Sequence, residues 1–236
     1  MSHGKVVLMA CGSFSPPTYM HLRMFEIARD YMHNLGLGTI VGGIMSPVHD
    51  AYGKKDLVAA QHSSFKVCLT FDYFFFQDAL NSHLMGQEVL DPPPWLPDDI
   101  LNVNSIDEPD NLMEKLNGNS DGRITIKLLC GADLLESFAT PGLWSDEDLE
   151  TIVGKHGLVV VTRAGSDPGR FIYESDMLYK HRKNVILVTN YIANEVSSTV
   201  IRRLVRRGES AKYLTDDAVL AYIRQNRLYG ASPYIT

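Results

Sequence analysis

KVVLMACGSFSPPTYMHLRMFEIARD, residues 5 to 30, decides the fold. Its first seven residues, KVVLMAC, form an apolar run that reads as a buried strand. Further on, MHLRMFEIARDYMHNLG puts Met24, Phe25, Ala28, Tyr31, Met32 and Leu35 on one helical face, with Gly36 as the stop. CGSFSPPTYMH (11–21) joins the two. Gly12, Ser13 and Phe14 make the turn, Gly12 allows close backbone approach, and the two prolines fix the entry to the helix. Thr18 is predicted as the N-cap, which puts His21 at N3. Free N–H groups and the positive end of the helix dipole make that end a natural seat for phosphate. A histidine there can donate to a phosphate oxygen as negative charge grows on it. The bare TxxH pattern is weak, and a capped helix with an idle histidine is its commoner meaning. Its position directly after the first strand is what raises the functional reading.

Outward from this unit the pattern repeats. TIVGGIMS (39–46), ITIKLLC (124–130), GLVVVTR (157–163) and NVILVTN (184–190) are further apolar strands of the type buried on both faces of a parallel sheet. SDEDLETIVGKHG opens with a serine and acidic residues, a good helix start. SSTVIRRLVRRG and TDDAVLAYIRQNRLYG close the chain as helices. The alternation predicts an α/β fold, a doubly wound, mostly parallel sheet with helices on both faces and ligands at the carboxyl ends of its strands. The expected organisation is a single domain over 1–236. Residues 63 to 123 break the pattern with an aromatic cluster, a triple proline and an Asn/Gly/Asp-rich tail, so an irregular insertion is expected at about 77–123.

Composition narrows the function classes. The formal net charge is −6, which argues against a general nucleic-acid binder while leaving room for a local anion site. Cys11, Cys68 and Cys130 make no metal-like or CxxC spacing and suggest a reducing compartment. No stretch reads as a signal peptide or membrane span. The expectation is a soluble intracellular protein of the cytoplasm or nucleus, with the mitochondrion left open and no membrane partner. KHRK (180–183) is too short for a clear nuclear signal and reads better as a solvated helical face.

A second anchor stands near the other end, VSSTVIRR (196–203). Ser198 or Thr199 is expected to open a helix, with Arg202 within its first turn, so that one anion meets both dipole and guanidinium. Arg203, Arg206 and Arg207 read as a basic face in water. With TxxH early and SSTVIRR late, GSFSPPTYMHLRMFEIARD resembles the first motif of the nucleotidyltransferase superfamily. More closely, the chain resembles the nicotinamide mononucleotide adenylyltransferase family. SPVHDAYGKKDL (46–57), LLCGADLLESFATPGLW (128–144), VVVTRAGSDP (160–168) and NEVSSTVIRRLVRRG (194–208) agree in order, over about three quarters of the chain.

The resemblance implies transfer of the adenylyl group of ATP to nicotinamide mononucleotide, and to nicotinic acid mononucleotide as well, giving NAD and pyrophosphate. It implies His21, Lys54 and Arg202 as charge-neutralising groups. ATP contacts would come from Gly12, Ser13, Phe14, Thr18, His21, Gly131, Asp133, Arg163, Asn194, Ser198, Thr199 and Arg202. The mononucleotide would meet Ser13, Tyr52, Lys54, Leu143 and Trp144. Asp133 can accept from ribose hydroxyls, with a helix N-cap as its bland alternative. Mg²⁺ would arrive with ATP, without dedicated protein ligands, and a homo-oligomer is the form relatives commonly take. After His62 the chain departs from the family: Ser63 stands where the family has an arginine, and no Trp-Glu pair follows. Trp95, within DPPPWLPDD, is a poor substitute. The alternative is therefore a catalytically weakened relative acting as a nucleotide-binding or chaperone-like protein. A nucleotidyltransferase acting on pantetheine phosphate is a third reading, disfavoured by Leu143-Trp144 and CGADLLESF.

Overall fold

The computed structural model describes residues 4–47, 124–162, 167–192 and 195–232. They form two compact units. The first holds residues 4–10, 24–44, 124–162 and 167–192; the second holds 11–23, 45–47 and 195–232. Residues 63 to 123, including the insertion expected at about 77–123, lie outside the described residues.

All five expected strands are present: β1 (Lys5–Gly12), β2 (Thr39–Pro47), β3 (Ile124–Gly131), β4 (Leu158–Thr162) and β5 (Val185–Thr189). Their order is β2-β1-β3-β4-β5. β1 pairs with β3 in parallel from Lys5↔Ile124 to Met9↔Leu128, and β3–β4 and β4–β5 are parallel too. Since β1 lies between β2 and β3, the chain leaves it first to one side and later to the other. That makes β1 and β3 the switch point of the sheet. β4 lies inside the sheet between β3 and β5, and its Leu158, Val159 and Val160 are wholly buried, which explains its unbroken apolar sequence.

The helix over Tyr19–Asn34, α1, buries Phe25, Ala28 and Met32 as its spacing predicts. Leu35 departs from that prediction. The helix ends at Asn34, one residue short, and Leu35 is exposed. In the first unit α2 (Ala132–Ser137) follows β3, and the acidic stretch forms α3 (Asp146–Leu149). Ser145 caps α3 reciprocally with Asp148, a complete capping box. α3 runs on as a wider π-helical turn over Glu150–His156. Between β4 and β5 lie α4 (Pro168–Glu174), which was not expected, and α5 (Asp176–Lys180), which takes in only Lys180 of the helical stretch expected at KHRK. α4 carried its own signal, an Asp N-cap followed by proline at the first helical position. Leu135, Leu149, Val153, Ile172 and Leu178 close this core over β3 and β4.

KHRK is only partly a solvated face. Lys180 Nζ and His181 Nε2 each lie 2.9 Å from Glu150, and Arg182 stacks 4.1 Å above the Tyr179 ring. Hydrogen bonds to its carboxylate hold Glu150 below the usual carboxylate range, the Lys180 bond first and the His181 bond second.

In the second unit α6 (Ser198–Arg207) and α7 (Asp217–Gln225) pack through Ile201, Val205, Val219 and Ile223, with Ala211 and Ala231 between them. Among the described residues no helix is long and apolar enough to cross a membrane.

Gly157 immediately precedes β4 with φ 87°, and a Cβ there would come within 2.7 Å of the Asn184 carbonyl oxygen. Gly142 has a similar φ of 75° with open space around it. Gly157→Ala should therefore destabilise the fold by more than Gly142→Ala, which bears only the backbone cost of about 1 kcal/mol. Urea unfolding midpoints of the two variants check this; equal losses would show that the Asn184 contact does not matter.

Candidate active site

The turn after β1 is held from within and from afar. Phe14 has φ 39°, and its buried ring stands edge-on to His21, centroids 5.1 Å apart at 89°. A side chain on residue 12 would put its Cβ 3.2 Å from the Phe14 ring, so Gly12 makes room for that ring. Ser13 occupies the turn between them, half-buried. The Ser15–Pro16 peptide is cis. Ser15, Pro16, Pro17 and Thr18 are all buried, and the prolines have no N–H to offer.

Thr18 precedes α1, as expected, and caps it: His21 N–H donates to Thr18 Oγ1 at 3.4 Å. In return the Thr18 backbone N–H donates to His21 Nδ1 at 2.9 Å. This is a capping box with histidine in the place usually taken by glutamate. A backbone N–H can only donate, so Nδ1 is the acceptor, and the Thr18 hydroxyl, 3.0 Å away, donates to it too. The proton of the neutral imidazole therefore sits on Nε2. The cap and the tautomer are set by the same residue.

Three successive carbonyls of this turn are taken by side chains from the far end of the chain. Arg202 Nη1 donates to Ser15 O at 2.7 Å, Ser198 Oγ to Pro16 O at 2.7 Å, and Thr215 Oγ1 to Pro17 O at 2.8 Å. Tyr229 Oη lies 2.7 Å from Ser15 Oγ, and Tyr19 N–H reaches Leu214 O at 3.3 Å. Burial pushes the Tyr229 hydroxyl up to about 12, against smaller opposing effects from the Ser15 bond and the Arg202 charge. It stays protonated across the physiological range.

The helix that carries the second anchor opens at Ser198, as expected. Its N-cap is Ser197, whose hydroxyl accepts from Val200 N–H, so Ser198 and Thr199 lie inside the first turn. Arg202 consequently falls in the second turn, not the first. There its Nη2 donates to Thr199 Oγ1 at 3.2 Å. Arg203, Arg206 and Arg207 are exposed, as expected for a basic outer face.

Thus Gly12, Phe14, Thr18, His21, Ser198, Thr199 and Arg202 come together in the second unit. Gly131, Asp133, Leu143 and Trp144 belong to the first. Gly131, not Asp133, is the N-cap of α2; Asp133 is exposed in the first turn, and its Oδ1 fills the space a Cβ on residue 131 would take. The capping alternative for Asp133 fails because the strand runs straight into the helix at Gly131. Trp144 is half-buried, edge-on to Phe138 at 5.2 Å, and its Nε1 donates to Ser137 Oγ at 3.2 Å. Leu143 is 52% exposed. Tyr52, Lys54, Arg163 and Asn194 lie outside the described residues. Thr215 and Tyr229 were missed in the sequence. Thr215 only precedes a helix, and nothing local to Tyr229 marks its bond to Ser15.

Thr215 is buried, and removing its hydroxyl strands the Pro17 carbonyl. Thr215→Val should lose about 1–3 kcal/mol of stability, while Thr215→Ser should keep most of it. Denaturant midpoints decide; a loss in Thr215→Ser with none in Thr215→Val would mean that packing of the methyl group, not the bond, matters.

No family model matches the chain. It is similar to a nicotinamide-nucleotide adenylyltransferase of Drosophila melanogaster, 47% identical over 98% of this chain and 63% of that protein. The chain thus spans a little under two thirds of that relative's length. A nicotinamide/nicotinic acid mononucleotide adenylyltransferase 1 of Bos taurus is 41% identical over 96% of this chain and 89% of its own length. Among solved structures, a Plasmodium falciparum nicotinic acid mononucleotide adenylyltransferase complexed with NaAD superposes with a TM-score of 0.57. It covers 97% of this chain and 99% of its own at 16% identity, a likeness of fold. Near-complete coverage of the bovine protein at such identity places the chain in the nicotinamide/nicotinic acid mononucleotide adenylyltransferase family.

Proposed function

We propose that the chain transfers the adenylyl group of ATP to nicotinamide mononucleotide, and to its nicotinic acid counterpart, releasing pyrophosphate. A phosphate oxygen of the mononucleotide attacks the α-phosphorus, the bond from that phosphorus to the bridging oxygen breaks, and pyrophosphate leaves with the electron pair. A phosphate monoester is already largely ionised near neutral pH, so no protein base is required. What remains is positioning and charge stabilisation.

The observation that carries this reading is the joining of the two motifs. The Ser15 and Pro16 carbonyls tie Arg202 and Ser198 to the turn that presents His21. With Nδ1 held by Thr18, His21 can offer Nε2–H to an oxygen that gains charge. Arg202 brings a permanent guanidinium, and α6 directs the positive end of its dipole to the same side of the chain as Ser198 and Thr199. The hydroxyls of these two are engaged with Pro16 and Arg202, so their contribution to an anion is the backbone N–H.

Gly12, Ser13 and Phe14 would complete the ATP side with Gly131, Asp133, Arg163 and Asn194. Tyr52, Lys54, Leu143 and Trp144 would meet the mononucleotide with Ser13, the Trp144 face suiting a flat cation. ATP would enter as its magnesium complex, the metal supplying positive charge against the phosphates. The relatives' names are those of enzymes, which favours catalysis over a purely chaperone-like role.

Purified protein given MgATP and nicotinamide mononucleotide should yield NAD and pyrophosphate. His21→Ala should lower kcat about 10²–10³-fold in a chain that still folds, with about 1–3 kcal/mol of stability lost as the Thr18 N–H loses its acceptor. Absence of product from the unaltered chain would sink the proposal. Leu143 is exposed enough that Leu143→Ala should leave stability within about 0.5 kcal/mol. A rise in KM for the mononucleotide alone would then report a direct contact, and an unchanged KM would remove Leu143 from the site.

A further inference from the structure

Tyr229 stands in an unusual backbone. Arg227, Tyr229 and Gly230 have φ of 51°, 57° and 78°, and the first two carry side chains that disfavour this region. A non-glycine residue held there is strained and persists only where surrounding contacts over-determine it. Those contacts are on both sides of the ring. The ring packs against the Ile201–Val205–Ile223 cluster that joins α6 to α7, and the hydroxyl reaches Ser15 Oγ at 2.7 Å across 214 residues of sequence.

Ser15 is wholly buried and is bonded on two sides. Its side chain meets Tyr229, and its carbonyl accepts from Arg202 Nη1 at 2.7 Å. The Arg202 charge in turn acts on the Tyr229 hydroxyl, so the three groups are electrostatic neighbours. A serine locked at both ends cannot rotate its carbonyl away from the guanidinium. Thr199 Oγ1 takes Nη2, fixing the guanidinium plane from the helix side.

We infer that Tyr229 is a positioning residue for ATP: through Ser15 it holds the Arg202 guanidinium in the one orientation that can meet a triphosphate. The inference rests on the proposed role of Arg202 and adds a residue outside both motifs. Tyr229 touches no substrate; it acts through the Ser15 carbonyl.

The test is MgATP affinity by calorimetry, which needs no turnover. Tyr229→Phe keeps the ring and removes only the hydroxyl. It should weaken ATP binding about tenfold and leave nicotinamide mononucleotide affinity nearly unchanged, with a modest fall in the thermal midpoint as the buried Ser15 hydroxyl loses its partner. Ser15→Ala should do the same, and the double variant should be no worse than either alone, since both cut one linkage. Unchanged ATP affinity in Tyr229→Phe, or losses that multiply in the double variant, would overturn the inference. So would a Tyr229→Phe chain that fails to fold, because the hydroxyl would then be holding the fold, not the guanidinium. If the unaltered chain binds MgATP but makes no NAD, the proposed function fails while the affinity comparison still decides on Tyr229. If it does not bind MgATP at all, both fail.

Discussion

A buried segment with no N–H at two consecutive residues cannot satisfy its own backbone. Ser15-Pro16-Pro17 is such a segment, and its three carbonyls are accounted for by Arg202, Ser198 and Thr215. A buried carbonyl left without a donor costs about 1–3 kcal/mol, so three in a row would be a large fraction of a domain's stability. The remaining features of the second unit follow from where those donors must be. α6 has to begin beside the turn, α7 has to leave Thr215 at its mouth, and the chain has to return through Leu228–Gly230 to put Tyr229 against Ser15.

The same constraint makes the chemistry local. His21 is three residues beyond Thr18, whose backbone is the last link of the held segment. Any slackening of the carbonyl contacts is therefore felt at the imidazole. Holding the turn also presets the tautomer, because the Thr18 amide that would otherwise be an unpaired donor at the helix start is the group that occupies Nδ1. The first unit has a simpler logic. β4 is buried from end to end, and the short helices around it close an apolar core capped by ordinary Ser and Asp hydrogen bonds.

Much of this was legible in residues 5 to 30 and in their repeats. Strand and helix periods are local properties of side-chain spacing, so all five strands and the caps at Thr18 and Ser145 could be read directly. Element ends were less legible. Leu35 falls outside α1, Gly131 displaces Asp133 as cap, and Arg202 falls in the second turn of α6, not the first, because each end is settled by one backbone rotation that hydrophobic spacing does not encode. The two motifs pointed to one anion site through resemblance, but not to the way they meet.

Composition, periodicity and motif order were enough for the parallel α/β sheet, for the place of the turn after β1 and for the family. The partners of that turn were not readable. Thr215 and Tyr229 are ordinary residues in ordinary surroundings, and their bonds to Pro17 and Ser15 span 198 and 214 positions. A hydrogen bond between distant segments is set by where the packing of Ile201, Val205, Val219 and Ile223 brings the backbone. That placement is a property of the folded core, and no local pattern carries it.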